Sequence, residues 1–239
     1  MKEQEYIING ITIKLSKNSK AKNISITIQP FKGVRVTVPR YVTYKQALSF
    51  VNHKIEWIKT KHTKIKNTET NYSAFNINTT FSTRNHKLVI QQKNITKINS
   101  KIKDGEIIIN VPFTETVEKI EIQQYIRHKI EEAWRLEAKE LLPNRIDVLA
   151  KKLQLNYNKL NIKNTRSRWG SCSYNNNINL SLHLMRLPDH LIDYVILHEL
   201  AHTKVKNHSH DFWDFLDQLT YKSARSLDKE LKNYSLRIY

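Results

Sequence analysis

The residues best suited to chemistry lie in Leu197-His198-Glu199-Leu200-Ala201-His202, which reads H-E-x-x-H. This stretch closes an apolar-periodic run, residues 191–197, and that context predicts a buried helix. On a helix, residues four apart lie about 40° from eclipsed, one turn along. His198 and His202 therefore aim two imidazoles at one point, which is how a helix offers two nitrogens to a zinc ion. Glu199 stands beside the first imidazole and can reach a water on the open side of the metal, where it would act as general base. A helix with satisfied histidines and a surface Glu would spell the same letters, but unpaired His and Glu are costly to bury in an apolar helix.

A catalytic zinc needs three protein ligands as a rule, and two further histidines follow, His208 and His210. On an unbroken helix His208 would lie about 80° off the ligand face and about 15 Å along from His198. The chain must therefore leave the helix between about Thr203 and Asn207. Asn207 is a suitable left-handed stop. Ser209 then reads as the N-cap of a new helix, with Asp211 in its first turn and Phe212, Phe215, Leu216 and Leu219 as its apolar stripe. The six-residue step from His202 to His208 has the length of the metzincin pattern. However, Val205 stands where that pattern needs Gly, and neither Met1 nor Met185 follows the motif, so this is not a metzincin.

These groups need elements to hold them. Pro188-Asp189 opens the helix, with Asp189 at the positive end of its dipole. Before it, residues 165–184 read as a β-hairpin. Ile178, Leu180, Leu182 and Leu184 face the core, while Asn179, Ser181 and His183 face a cleft or water. A strand edge beside a metal helix can take an extended peptide by strand addition. Ordinary core sheet with Trp169 buried is the plainer alternative. Arg166 and Arg168, alternating with Ser167 and Trp169, would share one strand face and could clamp a carboxylate or phosphate; a solvated basic face would look the same. Cys172 lacks a cysteine partner, which points to packing or a site wall.

Earlier in the chain, Asn9-Gly10 marks a hairpin, and residues 24–28 and 34–38 alternate as half-buried antiparallel sheet with a turn at Phe31-Lys32-Gly33. Thr43 caps a helix over residues 43–66. Residues 67–80 are Asn/Thr/Ser-rich and read as loop or irregular edge. Asp104-Gly105 turns a second hairpin. From about Thr116 the pattern becomes helical, with a stripe through Ile122, Ile126, Ile130, Trp134 and Leu141 that Pro143 should break or kink. The expected organisation is a basic β-rich region with one helix over 1–115, then a catalytic region over 116–239.

At 239 residues the chain can bury a sizeable core in one or two domains. The formal net charge is +18, with 21 Lys and Arg against 8 Asp and Glu in residues 1–119, and 19 against 14 in residues 120–239. A basic N-terminal half favours acidic partners, nucleic acid and nucleotides among them, although Lys/Asn-rich usage with solvated lysines gives the same balance. One cysteine excludes an intrachain disulfide framework, no run approaches a membrane span, and the first residues lack the apolar core of a signal peptide. The expectation is a protein of the reducing cytoplasm, not of the membrane.

Taken together, Arg168-Trp169-Gly170-Ser171-Cys172, Asn179-Leu180, His198 to His202, Asn207-His208-Ser209 and Phe212-Trp213 resemble the YgjP-like metal-dependent hydrolase family, which is related to SprT-like and WLM zinc proteases. The resemblance is dense from about residue 120 to 220. It is weaker in residues 24–28, in residues 34–39 and in the helix near Trp57-Ile58. It implies an α+β fold with a zincin-like C-terminal region, Zn²⁺ on His198, His202 and His208, and Glu199 as catalytic base. His210 falls at a variable family position and is a bystander. Thr203 stands where many members carry an apolar residue. The implied function is a zinc-dependent metallopeptidase acting on peptide or protein, with Arg166, Arg168, Trp169 and Asn179 as substrate-binding candidates. Two alternatives stand beside it: a nucleotide pyrophosphatase, an activity also ascribed within the resembling family, with the two arginines bracing phosphates; and a nucleic-acid-associated protein whose zinc is structural. Three histidines beside an intact Glu199 argue against the last, because structural sites are usually closed by four ligands.

Overall fold

A computed structural model of the chain describes residues 3–29, 33–69 and 74–236. It is a mixed α+β protein that divides into two compact units, one within residues 1–73 and one within 74–237. The division falls earlier than the change of pattern near residue 116. Residues 74–115, although β-rich, belong to the second unit: strand β7 (Glu106–Pro112) packs on the long helix α3 (Ile120–Lys152).

The first unit is a four-stranded sheet with two helices. Strands β1 (Gln4–Ile8) and β2 (Ile11–Asn18) form the expected hairpin, with Asn9 and Gly10 both at positive φ, as a tight turn of this hand requires. Strands β3 (Ser25–Gln29) and β4 (Gly33–Pro39) complete the order β1-β2-β4-β3. The pair β2/β4 is parallel, so the sheet is mixed and not purely antiparallel. Alternation along a strand fixes which face is buried and says nothing about the direction of its neighbour. Ile13, Leu15, Val34, Val36 and Val38 line the buried face against Ala47, Val51 and Ile58. Thr43 caps α1 (Tyr44–His53) through a capping box with Gln46, and the expected single helix divides at Lys54 before α2 (Ile55–Glu69). Phe31 and Lys32 of the expected turn, and residues 70–73 of the expected loop, lie outside the described residues.

In the second unit β5 (Lys87–Lys93), β6 (Asn99–Lys103) and β7 form a sheet of order β5-β7-β6, with Asp104 and Gly105 in the positive-φ turn between β6 and β7. Helix α3 runs 33 residues and continues through Pro143. Proline removes one internal hydrogen bond, but Leu142, Ile146 and Ala150 are buried around it, and that packing holds the helix together where local propensity would end it. A third sheet contains β8 (Lys159–Lys163), β9 (Gly170–Cys172) and β10 (Asn177–Ser181) in the order β8-β10-β9. The strand expected to run to Leu184 ends at Ser181. There the Ser181 hydroxyl accepts a bond from the His183 amide and starts a 3-10 turn, Leu182–Arg186. His183 is consequently buried in the core, and it faces neither cleft nor water. Helices α4 (Asp189–Ala201), α5 (His210–Leu219) and α6 (Ala224–Leu231) follow. No helix among the described residues is long and apolar enough to cross a membrane.

Candidate metal centre

Helix α4 is apolar almost all round: Leu191, Ile192, Tyr194, Val195, Ile196, Leu197, Leu200 and Ala201 are buried. Such a helix sits inside the unit, and its polar side chains are placed by their neighbours. Its start is fixed by ion pairs. Arg84 binds Asp189 at 2.5 Å and the Leu187 carbonyl at 3.0 Å, and Arg145 of α3 takes Asp193 in a two-armed grip, one arm at 2.9 Å. Its end comes at Ala201, earlier than the expected stop at Asn207, which is absent from the residues with positive φ. The Thr203 hydroxyl donates to the Leu200 carbonyl, and the amides of Lys204 and Val205 both donate to the Ala201 carbonyl. These bonds satisfy the last carbonyls without a left-handed residue. The chain then turns back, and α5 begins after its N-cap Ser209.

This turn brings three imidazoles together. The Nε2 atoms of His198 and His202 lie 3.1 and 3.2 Å from Nε2 of His208, and the ligand atoms of all three fall within 4.8 Å of one another, a set that could hold a metal ion. His202 is oriented by its other nitrogen: Nδ1–H donates to the Val205 carbonyl at 3.0 Å, which leaves the Nε2 lone pair facing the cluster. Phe212 of α5 stacks on the His202 ring at 4.4 Å and 23°, and lies edge-on to His198 and His208. Burial pushes His198 down to about 4 and lowers His202 as well, which favours the neutral imidazole that a metal requires. His210 is exposed, and its Nδ1 pairs with Asp214 at 2.6 Å, outside the cluster.

Glu199 is 5% exposed, and burial pushes its carboxyl up to about 8 against a weaker opposing pull from Arg168. Its Oε2 is buried without a hydrogen-bond partner. An unpartnered buried oxygen on the residue that follows the first of three converging imidazoles suits a site that takes a cation and a water, so the residues present fit a metal. Above Glu199 runs β9. A Cβ on Gly170 would stand 2.5 Å from Oε1, 2.7 Å from Cγ and 2.8 Å from Cδ of Glu199. The strand backbone lies directly on the carboxylate, and only glycine permits that approach.

A family model for the YgjP-like metallopeptidase domain matches residues 22–234. The chain belongs to the YgjP-like family. It is therefore a metal-dependent hydrolase of the metallopeptidase class, whose substrates are peptides or proteins. Solved structures similar to part of the chain include two metallopeptidase zymogens. That of Methanocaldococcus jannaschii jannalysin is 23% identical, covering 38% of this chain and 93% of that chain, with a TM-score of 0.34. That of Pyrococcus abyssi abylysin is 19% identical, covering 39% and 94%, with a TM-score of 0.35. No curated protein matches the chain.

The remaining candidates of this YgjP-like protein separate from one another. Residues 166–169 precede β9 and are not strand, so Arg166 and Arg168 do not share a strand face. Arg166 forms an ion pair with Glu131 of α3, whose other oxygen accepts from Asn164 at 2.7 Å; Asn164 in turn meets His183 Nε2 at 3.0 Å. This network ties the segment before β9 to α3. Arg168 is exposed and lines an open pocket with Lys163, Thr165, Ser171 and Asn179. Asn179 accepts from Asn161 and donates to Ser171 across the sheet. Ser171, Asn179 and Asn161 are register partners, and strand alternation puts them on the face opposite Gly170 and Leu180, away from Glu199. Trp169 is half-buried, and its carbonyl accepts from the Ser181 amide. Cys172 is half-buried, with burial pushing its thiol up.

Sequence reasoning gave Gly170, the Val205 carbonyl and Phe212 no role at the site. Of the four glycines Gly170 alone lacks a positive φ, so the space it leaves for Glu199, and not backbone freedom, explains it. The Val205 bond follows from where the helix ends and had no signal.

Proposed function

We propose that this protein is a zinc peptidase in which His198, His202 and His208 hold the metal and Glu199 is the general base. The reading is carried by one observation: three imidazole nitrogens converge, and the residue after the first of them is a buried carboxylate with an unpartnered oxygen. Three protein nitrogens with a position left over is the donor set of a catalytic zinc, and among the described residues no fourth ligand joins the cluster. A bound zinc supplies Lewis acidity, lowering the pKa of a water and polarising a carbonyl. The chain's own residues do the rest. Val205 holds His202 in the right tautomer. Phe212 walls the histidines. Glu199 accepts the proton of the attacking water at its unpartnered oxygen and returns it to the leaving amine. Arg168 favours the carboxylate form that this role needs.

The edge of β9 supports a peptide as substrate. Its inner hydrogen-bonding positions pair with β10 at Ser171, so the backbone groups of Gly170 and Cys172 point outward from the sheet, next to Glu199. The nucleotide alternative loses one of its two arms, since Arg166 is engaged by Glu131. Nucleic-acid contact through the basic N-terminal half rests on charge alone. The test is to assay the zinc-loaded protein against a peptide library and a nucleoside triphosphate panel side by side. Hydrolysis of triphosphates without any peptide cleavage would overturn the reading.

A further inference from the structure

The pocket on the face of the third sheet opposite Glu199 is lined by two cations, Lys163 and Arg168. Arg166 is ion-paired, whereas neither Lys163 nor Arg168 has a carboxylate within ion-pair distance among the described residues. Between these two cations stand neutral donors. Asn179 Nδ2 donates to the Ser171 Oγ at 3.2 Å, so the Ser171 hydroxyl proton is available to a ligand. Thr165 and Ser181 complete the wall, with the Ser181 hydroxyl already committed to the Thr165 carbonyl at 2.7 Å. The pocket and Glu199 lie on opposite sides of β9, because Gly170 lines the pocket and its strand also touches Glu199, and Arg168 acts on both.

We propose that this pocket recognises a carboxylate of the peptide substrate, next to the bond that is cut. The inference rests on the peptidase reading above and names its substrate class. A peptide added to the outer edge of β9 sends alternate side chains to the two faces of the sheet. Those on the Asn179 face pass over Ser171 toward Arg168 and, across β10, toward Lys163 at the end of β8. At about 250 Å³ the pocket is smaller than the ~300–1,000 Å³ of sites that enclose a small molecule. That size suits one acidic side chain or a chain terminus. Two cations and a hydroxyl donor match a single carboxylate.

The experiment uses the full-length zinc-loaded protein and four matched quenched peptides, with Glu or Gln beside the cleaved bond and a free or amidated C-terminus. The Glu peptide should be cut with a kcat/KM about tenfold above its Gln twin, a preference that shrinks with added salt. Lys163→Gln should bring the ratio close to one. A preference that survives amidation assigns the carboxylate to a side chain; one that vanishes assigns it to the chain end. Equal rates on all four peptides, or a ratio untouched in a Lys163→Gln, Arg168→Gln double variant, would overturn the proposal. Binding of the same peptides to Glu199→Gln protein, followed by titration calorimetry, separates the two readings. Acid-dependent binding without any turnover would leave the pocket standing and remove the peptidase. Cleavage without acid dependence would do the reverse. Displacement of the peptides by a nucleoside triphosphate at lower concentration would make the pocket a phosphate site and overturn the proposal too.

Discussion

Gly170→Ala tests how Glu199 is held. The added methyl would lie 2.5 Å from Oε1 and 2.7 Å from Cγ, where unstrained carbon contacts run at about 3.5–4.0 Å. An overlap of about 1 Å has to be absorbed by the strand, the helix or the carboxylate. The strand is fixed by its ladder to β10, and α4 is anchored by Arg84 and Arg145 and buried along its length. The carboxylate is the softest of the three, and it must leave its position. Overpacking of this kind costs about 1–3 kcal/mol. Loss of a placed general base costs about 10²–10⁴-fold in turnover. Gly170→Ala should therefore lower kcat by about 10²-fold or more and lower the unfolding free energy by about 1–3 kcal/mol, while zinc content stays at the wild-type level. Adding Glu199→Asp, one methylene shorter, should return part of the lost stability, and a double-mutant cycle by urea unfolding measures that coupling. Wild-type kcat and stability in Gly170→Ala would refute the argument, because Glu199 would then be free to move without consequence.

Three further outcomes are expected. His208→Ala should weaken zinc binding by orders of magnitude in chelator competition, since three ligands become two, while His210→Ala, whose ring is turned to Asp214, should change it by less than about tenfold; the opposite ranking would displace the ligand assignment. Glu199→Gln should keep zinc and fold and lose about 10²–10⁴-fold in turnover, and near-normal hydrolysis by the zinc-replete variant would take Glu199 out of the mechanism. Arg166→Met removes an ion pair from the mostly buried Glu131 and should lower stability by about 1–3 kcal/mol in urea unfolding; a raised KM at unchanged stability would instead make Arg166 a substrate contact.

The features legible in the sequence were those set by a few neighbouring residues. Asn9-Gly10 and Asp104-Gly105 demand positive φ and turn where expected. Thr43 and Ser209 stand at the starts of their helices. The i, i+4 spacing that joins His198 to His202 is a property of any helix. What failed to be legible depends on partners distant in the chain. Pro143 does not stop α3 because packing of Leu142 and Ile146 outweighs one lost hydrogen bond. The parallel pairing of β2 with β4 has no local sign. Arg166 reads as a free cation until Glu131, 35 residues earlier, is brought against it. The same holds for His183, whose place on a period-two pattern predicted an outward face, although the strand yields to a 3-10 turn two residues before it.

The outer edge of β9 has a consequence for self-association. Exposed strand edges pair readily with one another, and proteins protect them by keeping them short and flanking them with charge. This edge is three residues long. Arg168 stands before it, and after it Lys206 donates to the Ser173 carbonyl at 3.2 Å. Two copies meeting edge to edge would bring these cations together at the cost of like-charge repulsion, on a chain that already carries +18. Left open beside Glu199, the edge is thus closed to its own kind by the charges that draw in an acidic strand.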